Sequence, residues 1–581
     1  MSSFYPDKAD DNTYYDVVVC GAGLAGLTLA RQLRMNHPNL KIALFDQQTR
    51  PFPDSCLKVG ESSVEVGTHY FADRLKLSDY FAKKHVPKLG LRFFFGDTQG
   101  PFEDRPEFGA IEFPEVPSYQ IDRGIFENDM REMIVEQGAH LYEGYSVKEI
   151  NLSEDDSPHQ VVVKSDATGE VAINCRWVVD GTGRKRMLQR KLGLQTPNGH
   201  NASAAWFRIE GRVDVDDLVS PENEEWHDRM PTRTRFYSTN HLMGAGYWVW
   251  LIPLGSGNTS IGIVASEEMH PIKNMSNYEL AYQWLQKHEP KLADYLGDQE
   301  PLDFLCYKNY SYSSHQVLSH ERWTCIGEAG VFADPFYSPG SDFICMGNLM
   351  TEALITSDLQ GTLTRDYAED LNALFLAVNE GFVDLYRNSY DIWGCCHIMS
   401  AKILWDWAIY WAFFAQLCFQ DILTKPGLVK QLFDMGKGYL PLNGKAQQLF
   451  RDWGRLQGNR NSFEFLNPFE VPYVLYTHIE LANKRTADET IDYIEENVPM
   501  FEQWLDNLVE QATRELTPEQ LESCRGQNWF SHVPGEKTNT MLSPEDQARR
   551  DRMDEEMIPV FGDLAIGKDA AVAGGSDGMM M

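Results

Sequence analysis

The chain has 581 residues, 43% hydrophobic and 24% charged, which is ordinary globular usage and long enough for two or three domains or one interleaved assembly. Its 52 basic and 85 acidic residues give a formal charge of −33, so nucleic acid and anionic membrane surfaces are repelled and no polyanion-binding role is expected. The ten cysteines lack zinc-ligand spacing and read as reduced thiols with no metal site. No basic start followed by an apolar core opens the sequence, so a cytoplasmic location is expected.

Residues 1–13 read as a short tail. The βαβ unit that follows is built from "YDVVVC", an apolar strand, the turn "GAGLAG", the helix "LTLARQLRMN" and a second strand, "KIALFD". Gly21, Gly23 and Gly26, with Ala22 and Ala25 between them, form a GxGxxG turn. Its glycines permit a tight bend, close approach of backbone amides to a pyrophosphate, and close helix–strand packing. Asp46 ends the second strand, where a carboxylate can accept hydrogen bonds from ribose hydroxyls, so this is a dinucleotide site. A loop, "CLKVGESSV", carries Lys58, and the apolar spacing after Arg123 predicts a helix. Residues 206–264 are strand-rich and are expected to form one wall of a pocket, and residues 14–350 form the core unit. Residues 351–533 are mainly helical and are expected to cover a substrate site. Within them "ILWDWAIYWAFFAQLCF" is too short to span a bilayer and reads as a buried helix, so no membrane span is expected. Trp393, Trp405, Trp407 and Trp411 are assigned to core packing. Residues 534–581 are polar and are expected to be a mobile tail.

Later segments decide which dinucleotide is bound. "VVDGTGRKRMLQRKLGL", with Asp180, Gly181 and Gly183, and "CIGEAGVFADPFYSPG", with Asp334 and Gly340, resemble the second and third FAD segments of the aromatic-hydroxylase-like flavoproteins. Arg123 resembles their flavin-contacting arginine, and Glu328 stands where they usually have Asp. Trp248-Val249-Trp250-Leu251-Ile252-Pro253 is WxWxIP, Phe332, Pro335, Ser338 and Gly340 fit FxxPxxSxG, and Lys58 matches a KxGE lysine. Together these resemble the FADH2-dependent halogenases. The resemblance implies an α/β fold: a GxGxxG FAD-binding domain interleaved with a β-sheet substrate wall, plus a mainly helical C-terminal region.

What the resemblance implies about activity is an enzyme that uses FADH2, O2 and chloride or bromide to form hypohalous acid at the flavin. Its FADH2 would come from a separate flavin reductase. Asp334 and Ser341 would join the glycine turn, Asp46 and Arg123 in holding the cofactor. The Trp248–Pro253 strand and Ser338 would border the oxidant's passage, and Lys58 would stand where it opens on the substrate, donating a hydrogen bond or becoming a haloamine. Pro339 has no N–H, so halide would rest on Gly340 and Ser341. Tyr337 replaces the glutamate of tryptophan-type relatives, which favours a small phenolic ring over pyrrole or indole. The base that ionises such a phenol stays open, with Asp391 and His397 among many candidates. The alternative is an aromatic hydroxylase, which needs neither Lys58 nor the tryptophan strand.

Overall fold

The computed structural model describes residues 8–53 and 58–534, so the expected tail from residue 535 onward lies outside the described residues, as do residues 1–7 of the N-terminal one. The first layer is an eight-stranded, largely parallel sheet. In it β1 (Tyr14–Cys20) leads through helix α1 (Leu24–Asn36) to β2 (Ile42–Asp46), and helix α2 (Arg123–Glu136) precedes β3 (His140–Glu143). The long strand β4 (Gly169–Asp180) lies on the other side of β1, parallel to it, with Trp323–Cys325 beyond. The centre of β1 is Val17, Val18, Val19 and Cys20, all buried, as a strand covered on both faces must be.

A second eight-stranded sheet, mostly antiparallel, forms the wall. Its centre is β5 (Ala202–Ile209), β6 (Thr239–Gly244), β7 (Tyr247–Pro253) and β8 (Thr259–Ser266). Side chains alternate across a strand, and β7 shows what that achieves here. Trp248, Trp250 and Ile252 join the large core cluster on the cofactor side, while Tyr247, Val249 and Leu251 join a separate cluster with Trp284 and Leu285 behind the sheet. Trp250 lies opposite Gly262, where a Cβ would come within 2.2 Å of the indole ring. Glycine there lets the ring lie flat on the neighbouring strand.

The C-terminal half is helical: α3 (Gly340–Leu359), α4 (Arg365–Tyr386), α5 (Cys396–Ile409), α6 (Val429–Gln457) and α7 (Ala487–Glu515). The expected division at residue 350 is crossed twice, by α3 and by the strand Phe465–Leu466, which pairs with Glu107–Phe108 at the edge of the second sheet. The apolar 403–419 stretch is a buried helix containing a π-helical turn at Tyr410–Phe414. Among the described residues no helix is long and apolar enough to cross a membrane.

Candidate active site

Gly21 adopts φ +110°, and a Cβ there would lie 2.3 Å from the Gly181 carbonyl. A Cβ on Gly26 would lie 2.2 Å from the Gly21 carbonyl, so both positions require glycine for the turn to close against the sheet. A Cβ on Gly23, at the start of α1, would meet nothing within 4 Å. Gly23, Leu24 and Ala25 border a cavity of about 510 Å³, with Arg123, Gly181, Gly183, Arg184, Lys185, Glu328, Gly340 and Ser341 around it. Two helix N-termini and four cationic side chains, Lys58 among them, therefore converge on one space, which suits a pyrophosphate. The Ser341 hydroxyl is buried without a partner in the same cavity. These residues fit FAD.

Three expected cofactor contacts differ in detail. The Asp46 carboxylate accepts from the Ala22 N–H at 2.7 Å, the Gln48 N–H at 2.8 Å and Arg131 at 3.1 Å, and Gln47 rather than Asp46 borders the cavity. Asp46 thus organises the glycine turn. Asp334 is fully buried and accepts from His200 at 2.7 Å, Tyr310 at 2.5 Å, Tyr390 at 2.6 Å and the Phe336 N–H at 3.0 Å. About four acceptor sites are available on a carboxylate, so Asp334 has little left for a cofactor. Asp334 still borders the cavity, with Glu61, Glu127 and Glu328; Glu328 is the Asp-to-Glu departure noted in the sequence, and burial pushes its pKa up.

Lys58 is the third. Its ammonium pairs with Glu127, which also binds Arg123, and lies 4.8 Å from the centre of the Phe52 ring. Burial alone would raise the Glu127 carboxyl, but Arg123 and Lys58 outweigh it and hold the group below its usual range. The Lys58 carbonyl accepts from Arg208, itself bonded to Glu61. Lys58 therefore borders the cofactor cavity and is not among the residues that line the second cavity.

The β7 wall borders the cofactor cavity, and a second cavity is lined by other elements. Trp248, Trp250, Ile252 and His241 line the cofactor side. The Trp248 N–H donates to the Tyr390 hydroxyl at 3.2 Å, and Tyr390 donates on to Asp334, so the wall strand is tied to the helical half through a buried carboxylate. Pro253, at the end of β7, is paired with Thr259 and borders neither cavity. In the loop before α3, Ser338 has φ +58°, a strained conformation for a residue with a side chain. The twist divides the segment: Ser338, Gly340 and Ser341 face the cofactor cavity, whereas Tyr337 and Asp342 face the second.

That second cavity is small, about 60 Å³, and largely aromatic, with Trp407, Tyr410, Trp411, Phe382 and Phe469 among its lining residues. Four ionisable side chains besides tyrosine reach it: Glu65, Lys88, Asp342 and Asp406. Lys88 is 1% exposed and donates to Ser62 Oγ and to the Ser63 carbonyl, each at 2.8 Å. Both partners are neutral, and burial pushes the amine down to about 7 although Glu65 and Asp342 pull the other way. Ser62 borders the cofactor cavity, so the Lys88 amine touches the partition from the aromatic side. Asp342 accepts from Tyr410 at 2.9 Å and the Gly67 N–H at 2.8 Å, and burial pushes its carboxyl up to about 8. Tyr337 donates to Asp406 at 2.8 Å, and Asp406 is further held by Lys402 and Gln447.

Sequence reasoning missed Lys88. The available signal was a lone lysine inside the apolar run "HVPKLGLRFFF". It also missed Asp342 and the π-helical turn that carries Tyr410 and Trp411, a local irregularity often found at functional sites. Of the suggested bases, Asp391 is paired with Arg455 beside an open polar cavity of about 650 Å³, and His397 bonds Gln457 at 2.7 Å; neither borders the aromatic cavity. Trp393 and Trp405 are core residues as expected, but Trp407 and Trp411 line the cavity.

The profile of an FAD binding domain matches residues 14–273. The chain is 27% identical over 429 residues to flavin-dependent halogenase chlA of Dictyostelium discoideum, covering 69% of this chain and 70% of that one. To flavin-dependent halogenase armH3 of Armillaria mellea it is 26% identical over 379 residues, covering 61% and 69%. Its fold is similar to the crystal structure of halogenase PltM in complex with phloroglucinol and FAD, with a TM-score of 0.61 at 18% identity, covering 89% of this chain and 99% of that one. Cofactor cavity, tryptophan wall and relatives agree: the chain carries an FAD binding domain, its cofactor is FAD, and in sequence it is similar to flavin-dependent halogenases.

Proposed function

We propose that this halogenase modifies a phenol-type ring and delivers the halogen through Lys88. The observation that carries the reading is the buried amine itself, which lines the aromatic cavity while bonding to Ser62 on the partition. When bound, reduced FAD with O2 supplies the oxidant that turns chloride or bromide into hypohalous acid. A separate flavin reductase supplies the FADH2. Gly340 and Ser341, at the start of α3, offer first-turn N–H groups to the halide. Trp248, Trp250 and Ile252 line the cofactor cavity and the ring's cavity is lined by other residues, so ring and cofactor occupy separate spaces, which disfavours direct hydroxylation.

With its pKa near 7, the Lys88 amine is present in both protonation states near neutrality. The neutral nitrogen attacks hypohalous acid at halogen, an N–halogen bond forms, and water leaves. A ring carbon then takes the halogen, the ring loses its proton and the amine regains one. Asp342, with a carboxyl near 8, exchanges protons in the same range and is the group best matched to the phenol. Tyr337 favours a ring already activated by oxygen, because its hydroxyl is committed to Asp406 and it brings no carboxylate to steady a cationic indole. The described cysteines are all free, which supports a reducing, cytoplasmic location.

The test supplies reduced FAD, O2 and bromide to the purified protein with a panel of phenols, pyrroles and indoles, and reads product masses. Bromine's isotope doublet on phenols is the expected result. Products that gain only oxygen would overturn the reading.

A further inference from the structure

The polar groups of the aromatic cavity allow the substrate class to be narrowed, on the footing that the cavity is the ring-binding site proposed above. A space of about 60 Å³ holds on the order of four to six waters, at roughly 10–15 Å³ each by this measure. That is the scale of one substituted ring, and a carrier arm threaded beside it would not fit. Acidic groups dominate: Glu65, Asp342 and Asp406 face a single lysine, Lys88, in the lining, and Asp406 is already neutralised by Lys402 behind it. A ring bearing its own carboxylate would add a fourth acid group to a lining whose single lysine, Lys88, already feels Glu65 and Asp342.

Two further groups ask for a hydroxyl. The Trp411 indole N–H is buried, with the residue 4% exposed, and has no hydrogen-bond partner. Tyr337 has committed its proton to Asp406, so its oxygen can only accept from anything in the cavity. A phenolic hydroxyl both donates and accepts and can satisfy either group; a methyl ether only accepts, and an unsubstituted ring edge does neither. One hydroxyl placed at Lys88 and Asp342 would leave Trp411 and Tyr337 facing bare carbon, and an unmet buried polar group is unfavourable.

We infer that the cavity selects a neutral, untethered single ring carrying at least two hydroxyl groups, one addressed by Lys88 and Asp342 and another by Trp411 and Tyr337. Trp411 and Tyr337 are then specificity-determining residues, and Asp406 with Lys402 positions the Tyr337 hydroxyl.

The experiment is calorimetric titration of the FAD-loaded protein, without halide, with phenol, 1,3-dihydroxybenzene, 3-methoxyphenol and 3-hydroxybenzoate. The expected order puts 1,3-dihydroxybenzene about tenfold tighter than 3-methoxyphenol, the effect of one buried hydrogen bond, with 3-hydroxybenzoate weaker than phenol. Tyr337→Phe keeps the ring but removes the acceptor that only a hydroxyl can meet, and should narrow the tenfold ratio to below about twofold, a change that general loosening of the fold would not produce. Trp411→Phe removes a donor that a hydroxyl and a methyl ether both satisfy, and should weaken 1,3-dihydroxybenzene and 3-methoxyphenol together relative to phenol, leaving their ratio unchanged. Equal affinities in the unmodified protein, or tighter binding of 3-hydroxybenzoate than of phenol, would overturn the inference. If affinities are flat while phenols are still brominated, the selectivity claim fails and the proposed function stands; if no phenol is brominated, both fall.

Discussion

Replacing Lys88 with methionine should make the protein more stable at pH 6 and leave it no more stable at pH 9. The amine sits near pH 7 in the folded chain, against 10.5 for the free side chain, because it is buried. Between those values the unfolded chain holds a proton that the folded chain lacks, so the Lys88 contribution to stability rises with pH over that window. Below pH 7 the charged amine is held in the core at a cost of about 5 kcal/mol, from a depression of roughly 3.5 pH units at ~1.4 kcal/mol each. At pH 9 the cost falls to about 2 kcal/mol by the same arithmetic. Methionine removes that cost but forfeits the hydrogen bonds to Ser62 and Ser63, together about 2 kcal/mol. The net expectation is a gain of about 3 kcal/mol at pH 6 and about zero at pH 9. Asp342 slopes the other way, its raised carboxyl losing stability as pH rises toward 8, so the variant is compared with the unmodified protein at each pH. Urea unfolding at the two pH values reads the difference. A variant destabilised equally at both would show that Lys88 is an ordinary structural lysine and would refute the reasoning.

Other parts of the account predict separate outcomes. Tyr390→Phe removes the hydroxyl that links Trp248 to Asp334, and should divert reducing equivalents severalfold from halogenated product to peroxide or oxygenated product; an unchanged product ratio would mean the wall needs no such anchor. Gly21→Ala places a Cβ 2.3 Å from the Gly181 carbonyl at a positive φ and should abolish FAD retention, measured by flavin fluorescence after gel filtration. Thr486→Ala breaks the capping box at the start of α7 and should cost about 1 kcal/mol in urea unfolding while halogenation continues.

In "WVWLIP" the two faces divide by alternation, because a strand buried on both faces still points successive side chains in opposite directions. The glycine turn was equally readable, since its constraints are local. The two lysines show where local reading stops. Lys58 lies beside a glycine in a motif and attracts attention, yet its destination is set by Glu127, 69 residues away. Lys88 carries no motif, and its depressed pKa arises from strands and helices that the sequence brings together only in three dimensions. Asp334 was recognisable as important, but its partners His200, Tyr310 and Tyr390 come from separate regions of the chain, so its internal role was not. The positive φ of Ser338, which sends adjacent residues to different cavities, likewise has no signature in "FYSPGSD".

The most direct test compares Lys88→Met with Lys58→Met under turnover with reduced FAD, O2, bromide and a dihydroxybenzene. The account predicts that Lys88→Met consumes reduced FAD and gives no brominated product, whereas Lys58→Met still brominates and binds FAD more weakly. Brominated product from Lys88→Met, with none from Lys58→Met, would contradict it.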